Sequence, residues 1–156
     1  MEKVKVVAIP TEAAERARVT LCDDFGHSLT PQVVDGPAPC RHCLRIAQAG
    51  ERMILLSYRP FAQDNGPYSE VGPIFIHADA CQRYAGEGLP PDFAPRELVV
   101  RAYDENHAIA DSTIAPPGEA LDRAAAFLAD PRIGYVHVRH TTYTCFDFQI
   151  ERNGAA

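Results

Sequence analysis

Between residues 133 and 150 apolar and polar side chains alternate with period two, the signature of half-buried β-strands. On the outgoing run Val136 and Val138 point one way, and Tyr135, His137 and Arg139 the other. On the return, Thr144, Phe146, Phe148 and Ile150 stand opposite Tyr143, Cys145, Asp147 and Gln149. This predicts a hairpin turning near residues 140–142. A register that keeps both apolar sets in the core gathers His137, Arg139, Tyr143, Cys145 and Asp147 on the second face. A helical period is clearest at Leu121, Ala124, Ala125 and Leu128, spaced i, i+3, i+4 and i+7. Pro116-Pro117-Gly118 opens that helix and Asp130-Pro131 ends it, which makes it the main amphipathic helix.

The remaining elements are shorter. Residues 4–9 form a β-rich run stopped by Pro10, with Thr11 as a weak cap for a short helix. Residues 25–39 are broken by Gly and Pro, leaving strand character only at Gln32-Val33-Val34. Residues 40–46 and 52–59 predict a hairpin around the polar turn 47–51. Ile74-Phe75-Ile76 is a short strand that leads into a helical turn through residues 77–81. Residues 98–103 and 108–114 predict another hairpin around 104–107, and Asp64-Asn65-Gly66 a turn. The whole of 1–156 is expected to be a single α+β domain. Its core is a mostly antiparallel sheet of hairpins, with one main amphipathic helix and one or two short ones.

Composition narrows the partners. Fifteen Lys+Arg against 21 Asp+Glu leave a formal charge of −6, which disfavours nucleic acid, whose phosphates call for a basic surface. Met53-Ile54-Leu55-Leu56 is the longest apolar run and is far short of the ~20 residues of a membrane helix, so no membrane partner is expected. No export signal precedes residue 10, so a cytoplasmic setting is expected. There, five cysteines serve as free thiols or metal ligands rather than as a disulfide scaffold. Nothing in the sequence sets the oligomeric state.

Two constellations carry chemistry. Cys40-x-x-Cys43 with His77-x-x-x-Cys81 offers three thiolates and an imidazole, a donor set that suits tetrahedral zinc. The cationic Arg41 and His42 inside the first motif also permit a redox dithiol, although a hairpin context lacks the helix N-terminus that such a motif uses. The second constellation is the polar sheet face, His137, Arg139, Tyr143, Cys145 and Asp147, joined by Arg41. Fixed Arg and His donors there suit a small anionic ligand. Asp104, Glu105 and His107 form a charged hairpin tip, read as solvated.

Pro39-Cys40-Arg41, Gly50-Glu51, Leu55-Leu56-Ser57-Tyr58, Pro67-Tyr68, Gly72-Pro73-Ile74-Phe75-Ile76 and Cys145-Phe146-x-x-x-Ile150-Glu151-Arg152, in this order, resemble an uncharacterised bacterial family, domain-of-unknown-function family 1203. The resemblance implies a small cytoplasmic protein with no established activity, and it supplies no catalytic residues. Cys40-Arg41 and Cys145 match recurring positions of that family. The Cys43 position often carries a small polar residue there, so a complete zinc set would belong to a branch of it. The turn before Cys145 usually carries His-Asn and a Gly, where this chain has Arg139-His140 and Thr144.

The sequence therefore points to a binding module for a small anion or a structural zinc. The rival is a thiol-dependent enzyme using Cys145 or Cys40 as nucleophile and His137 as base. A third reading, an interaction protein, rests on the loop at residues 61–68.

Overall fold

A computed structural model describes residues 3–61 and 66–154. Residues 62–65, which hold Asp64 and Asn65 of the predicted turn and half of loop 61–68, lie outside the described residues. The arrangement is α+β: antiparallel strands dominate, accompanied by two helices.

The larger sheet has five strands in the order β1 (Val4–Val7), β10 (Phe146–Arg152), β9 (Ile133–His140), β7 (Leu98–Asp104) and β8 (Ile109–Ala115). The β7–β8 and β9–β10 hairpins stand where the sequence predicts them. Helix α2 (Ala120–Leu128) lays Ala120, Ala124 and Leu128 against Val100, Val136, Val138, Phe148 and Ile150 to make the first core. Helix α1 (Thr11–Thr20) spans 10 residues against the 9 of α2, so the helix expected to be short is the longer. It buries only Ala14 and Ala17. Thr11 does not cap it: Pro10 holds the N-cap position without a side-chain bond, and the Thr11 hydroxyl bonds the His42 ring at 2.9 Å.

The second unit is a three-stranded sheet, β2 (Gln32–Val33), β5 (Arg52–Tyr58) and β6 (Gly72–His77), beside a two-stranded ribbon of β3 (Ala38–Pro39) and β4 (Ile46–Ala47). Its core joins Ile9, Ala14, Met53, Ile54, Ile74 and Ile76. Two expectations are corrected here. Residues 40–46 do not pair with 52–59, because Cys40 and Arg45 close their own loop (Cys40 N–H to Arg45 O, 2.9 Å; Leu44 N–H to Cys40 O, 2.9 Å). Leu44 takes a left-handed φ of 57° to complete it. Strand β5 pairs instead with β2 and β6. Residues 77–81 are not helical either: His77 ends β6, and Ala78 N–H reaches Arg52 O at 3.0 Å, prolonging the ladder.

The polar sheet face is divided by the packing of the two units. Its inner part is covered by β6 and Phe61, so that His137 and Asp147 have no exposure and Arg139 has 5%, whereas Tyr143 at the turn is 81% exposed. The alternation also breaks at Asp147. Phe146 faces Arg139 and Phe148 faces Val138, so Asp147 is an extra residue, a β-bulge, and Phe146 turns toward the second core. Arg41 crosses between the two units and fixes the 40–43 turn. Its Nε donates to Phe146 O at 2.8 Å, its Nη1 to Pro39 O at 2.7 Å, and its Nη2 lies 3.3 Å from Asp147 Oδ1.

Candidate metal centre

The tight 40–45 loop turns the Sγ atoms of Cys40 and Cys43 toward the end of β6. Three anchors hold it: Arg41 N–H to Phe75 O (3.0 Å), Ile9 N–H to Arg41 O (3.2 Å) and the Arg41 side chain. His77 projects from the last position of β6, and the chain beyond is drawn alongside the loop by Tyr84 N–H to His42 O (2.9 Å), which delivers Cys81. The donor atoms of Cys40, Cys43, His77 and Cys81 all lie within 4.8 Å of one another, and all but Cys81 are buried. Cys40 Sγ is 3.9 Å from Cys81 Sγ, and Cys43 Sγ is 3.4 Å from His77 Nδ1. A tetrahedral zinc with bonds of about 2.3 Å to sulfur and about 2.0 Å to nitrogen sets S···S edges near ~3.8 Å and S···N edges near ~3.5 Å. The cluster could therefore hold such an ion with small adjustments.

The surroundings prepare each donor. His77 Nε2 faces Glu51 Oε1 at 3.2 Å, so an Nε2–H donated to the carboxylate leaves the Nδ1 lone pair free toward the sulfurs. Cys81 Sγ accepts from Arg18 Nη2 at 3.2 Å and meets His42 Nδ1 at 3.1 Å; its other ring nitrogen faces Thr11. The neighbouring thiols Cys43 and Cys81 hold the Cys40 thiol far below its usual range. Those two are pushed up in turn by the Cys40 thiolate. The same thiolate, with Glu51, raises the His77 imidazole. Burial lowers His42, assisted by the charge of Arg18. The cluster thus gathers the three thiols and the imidazole around one point. A cavity of about 670 Å³ opens beside Cys43 and Cys81, with Arg45 and Arg83 in its wall.

The other predicted residues disperse. His137 stands among the rings of Phe61, Tyr103 and Phe146, each 4.9 Å away, and its Nε2 bonds Gln149 at 3.2 Å. Burial, reinforced by Arg139, pushes its pKa down to about 3, and no described hydrogen bond links it to Cys40 or Cys145. Asp147 pairs with Arg41 and, at 2.7 Å, with His140, contacts of ion-pair range without hydrogen-bond alignment. Arg139, Tyr143 and Cys145 alone share a cavity. At the 104–107 turn Asp104 accepts from Asn106 and Ala108 N–H, and His107 bonds the Tyr135 hydroxyl at 2.8 Å, so these groups are committed to the hairpin. Sequence reasoning missed Glu51, Arg18 and Thr11 as partners of the cluster; only His42, inside the Cys40-x-x-Cys43 motif, carried a local signal.

No helix among the described residues is long and apolar enough to cross a membrane. No curated protein and no solved structure matches the chain. A family model does match residues 37–152, a span that includes all four donors, Arg41 and the whole of β5 through β10. That span is most of the sequence, and the chain belongs to the family described as protein of unknown function, DUF1203.

Proposed function

We propose that the chain is a zinc-binding module in which Cys40, Cys43, His77 and Cys81 hold a structural zinc ion. The observation that carries this reading is the convergence of four soft donors, from the 40–43 turn, the end of β6 and the segment beyond it, within 4.8 Å. Four protein ligands close a tetrahedron and leave no position for substrate, which is the structural rather than the catalytic pattern. Three thiolates around a doubly charged ion leave one net negative charge, and the Arg18 contact to Cys81 offsets it. The ion would clamp the 40–43 turn to the end of β6, two segments that no long strand pairing joins.

Elemental analysis of untagged protein, with a thiol count before and after a strong chelator, tests this. About one zinc per chain is expected, with three extra thiols titrating after chelation and a lowered thermal midpoint. Cys43→Ser should lose the metal and the chelator response. Metal-free protein with five reactive thiols and no response to zinc overturns the reading.

A further inference from the structure

The four donors of the cysteine cluster differ in access. Cys40, Cys43 and His77 are buried, whereas Cys81 is partly exposed and lies in the wall of the cavity of about 670 Å³. A space of that size admits an oxidant as small as hydrogen peroxide. Two groups stand at the Cys81 sulfur: Arg18 Nη2 at 3.2 Å, from a side chain 8% exposed, and His42 Nδ1 at 3.1 Å. With the Thr11 hydroxyl donating to His42 Nε2 at 2.9 Å, Nδ1 carries the proton that faces the sulfur. Fixed donors beside a sulfur stabilise negative charge on an oxygen that leaves its neighbourhood.

A second sulfur is already in contact. Cys40 Sγ lies 3.9 Å from Cys81 Sγ, and a disulfide needs about 2.05 Å. Cys81 follows the end of β6 at His77 and precedes β7 at Leu98, outside any helix or strand, so the contraction displaces a loop and leaves both sheets in place. A Cys40–Cys43 bond would instead form inside the 40–45 loop, which two backbone hydrogen bonds and the left-handed Leu44 already fix.

Given the zinc reading, on which this rests, we infer that the metal site is a peroxide-sensitive switch: hydrogen peroxide oxidises Cys81, and Cys81 then joins Cys40 in a disulfide that releases the zinc ion. In the first step the Cys81 thiolate attacks one peroxide oxygen. The O–O bond breaks, the sulfur gives up two electrons to become a sulfenic acid, and hydroxide leaves beside Arg18. In the second step the Cys40 thiolate attacks the Cys81 sulfur. The S–S bond forms, the S–O bond breaks, and a second hydroxide leaves. Both hydroxides take protons from the solvent as water, so one peroxide is reduced for each disulfide made. Cys43 and His77 then remain as donors, too few to hold a tetrahedral zinc.

The full chain, loaded with zinc and freed of excess metal, is treated with hydrogen peroxide beside a chromogenic zinc indicator, with an untreated sample as control. It is then alkylated and digested with trypsin, which cuts after Arg41 and so separates Cys40 from Cys43 for disulfide mapping. About one zinc should be released per peroxide consumed, with Cys40–Cys81 as the disulfide, and a thiol reductant should restore zinc uptake. The double variant Cys22→Ser, Cys145→Ser, which lacks both cysteines outside the cluster, should respond as the wild type does. A chain that takes up no zinc overturns the zinc reading and this inference together. A chain that takes up zinc and keeps it in peroxide overturns this inference alone. So does release with a disulfide other than Cys40–Cys81, release with Cys81 as a sulfinic acid and no disulfide, or a response lost in the double variant.

Discussion

Asp23 has a side chain only 1% exposed, yet its surroundings favour the charge. Burial alone would raise its pKa, but the backbone N–H groups of His27, Ser57 and Phe25 and the His27 ring all turn toward it and hold it down to about 2. A folded pKa below the unfolded value stabilises the native state fully above the unfolded value, near 4, and this is lost as pH falls toward 2. The shift corresponds to about 2 kcal/mol at neutral pH. Urea unfolding should therefore show Asp23→Asn weaker than wild type by about that amount at pH 7, with the gap closing between pH 4 and pH 2. A gap that persists at pH 2 would mean that shape rather than charge fastens the loop to β5. At this scale Cys40, Cys43, His77 and Cys81 were legible because donor type and spacing are written locally. Glu51 was not, since its approach to His77 depends on how β5 meets β6.

The β7–β8 hairpin, α2 and the β9–β10 hairpin were each foreseeable, because each is long enough to repeat its period several times. Strands β3 and β4 have two residues each, too few for any period, and β2, as short, was marked at Gln32-Val33-Val34 without a partner, so the pairing of β5 was lost. The bulge at Asp147 is a subtler loss: one inserted residue flips Phe146 relative to Phe148, so alternation places Phe146 on the wrong face. The bulge also delivers Asp147 to Arg41, whose guanidinium burial weakens and whose Asp147 partner sustains as a cation. Removing one member of a buried pair leaves the other uncompensated, a loss of roughly 3–5 kcal/mol. Arg41→Met should fall near the lower end of that range in denaturant titration, because His140 still faces the carboxylate. Adding Asp147→Asn to Arg41→Met should restore part of the loss. No recovery in the double variant would show that the backbone bonds of Arg41 to Phe146 and Pro39, rather than the ion pair, carry its contribution.

Across the whole molecule, the α+β class and the antiparallel bias follow from hairpin spacing, whereas the meeting of two cores does not. Nothing local in His137, Arg139 or Asp147 says that a second sheet covers them; a polar row on a strand is written the same way whether water or protein lies above it. The N-terminal strand carries a different lesson. β1 pairs along β10 from Val4 opposite Arg152 to Val7 opposite Gln149, and α1 sends Arg18 to Cys81, yet both elements precede the family match, which begins at residue 37. A shortened protein of residues 37–152 would retain every candidate metal ligand. It would also lay bare the outer hydrogen-bonding row of β10, a template for pairing with other chains. Such a fragment should self-associate in light scattering where the full chain does not. The first thirty-six residues would then act as a built-in stopper, one that replaces the long edge of β10 with the four-residue edge of β1 and keeps neighbouring copies apart.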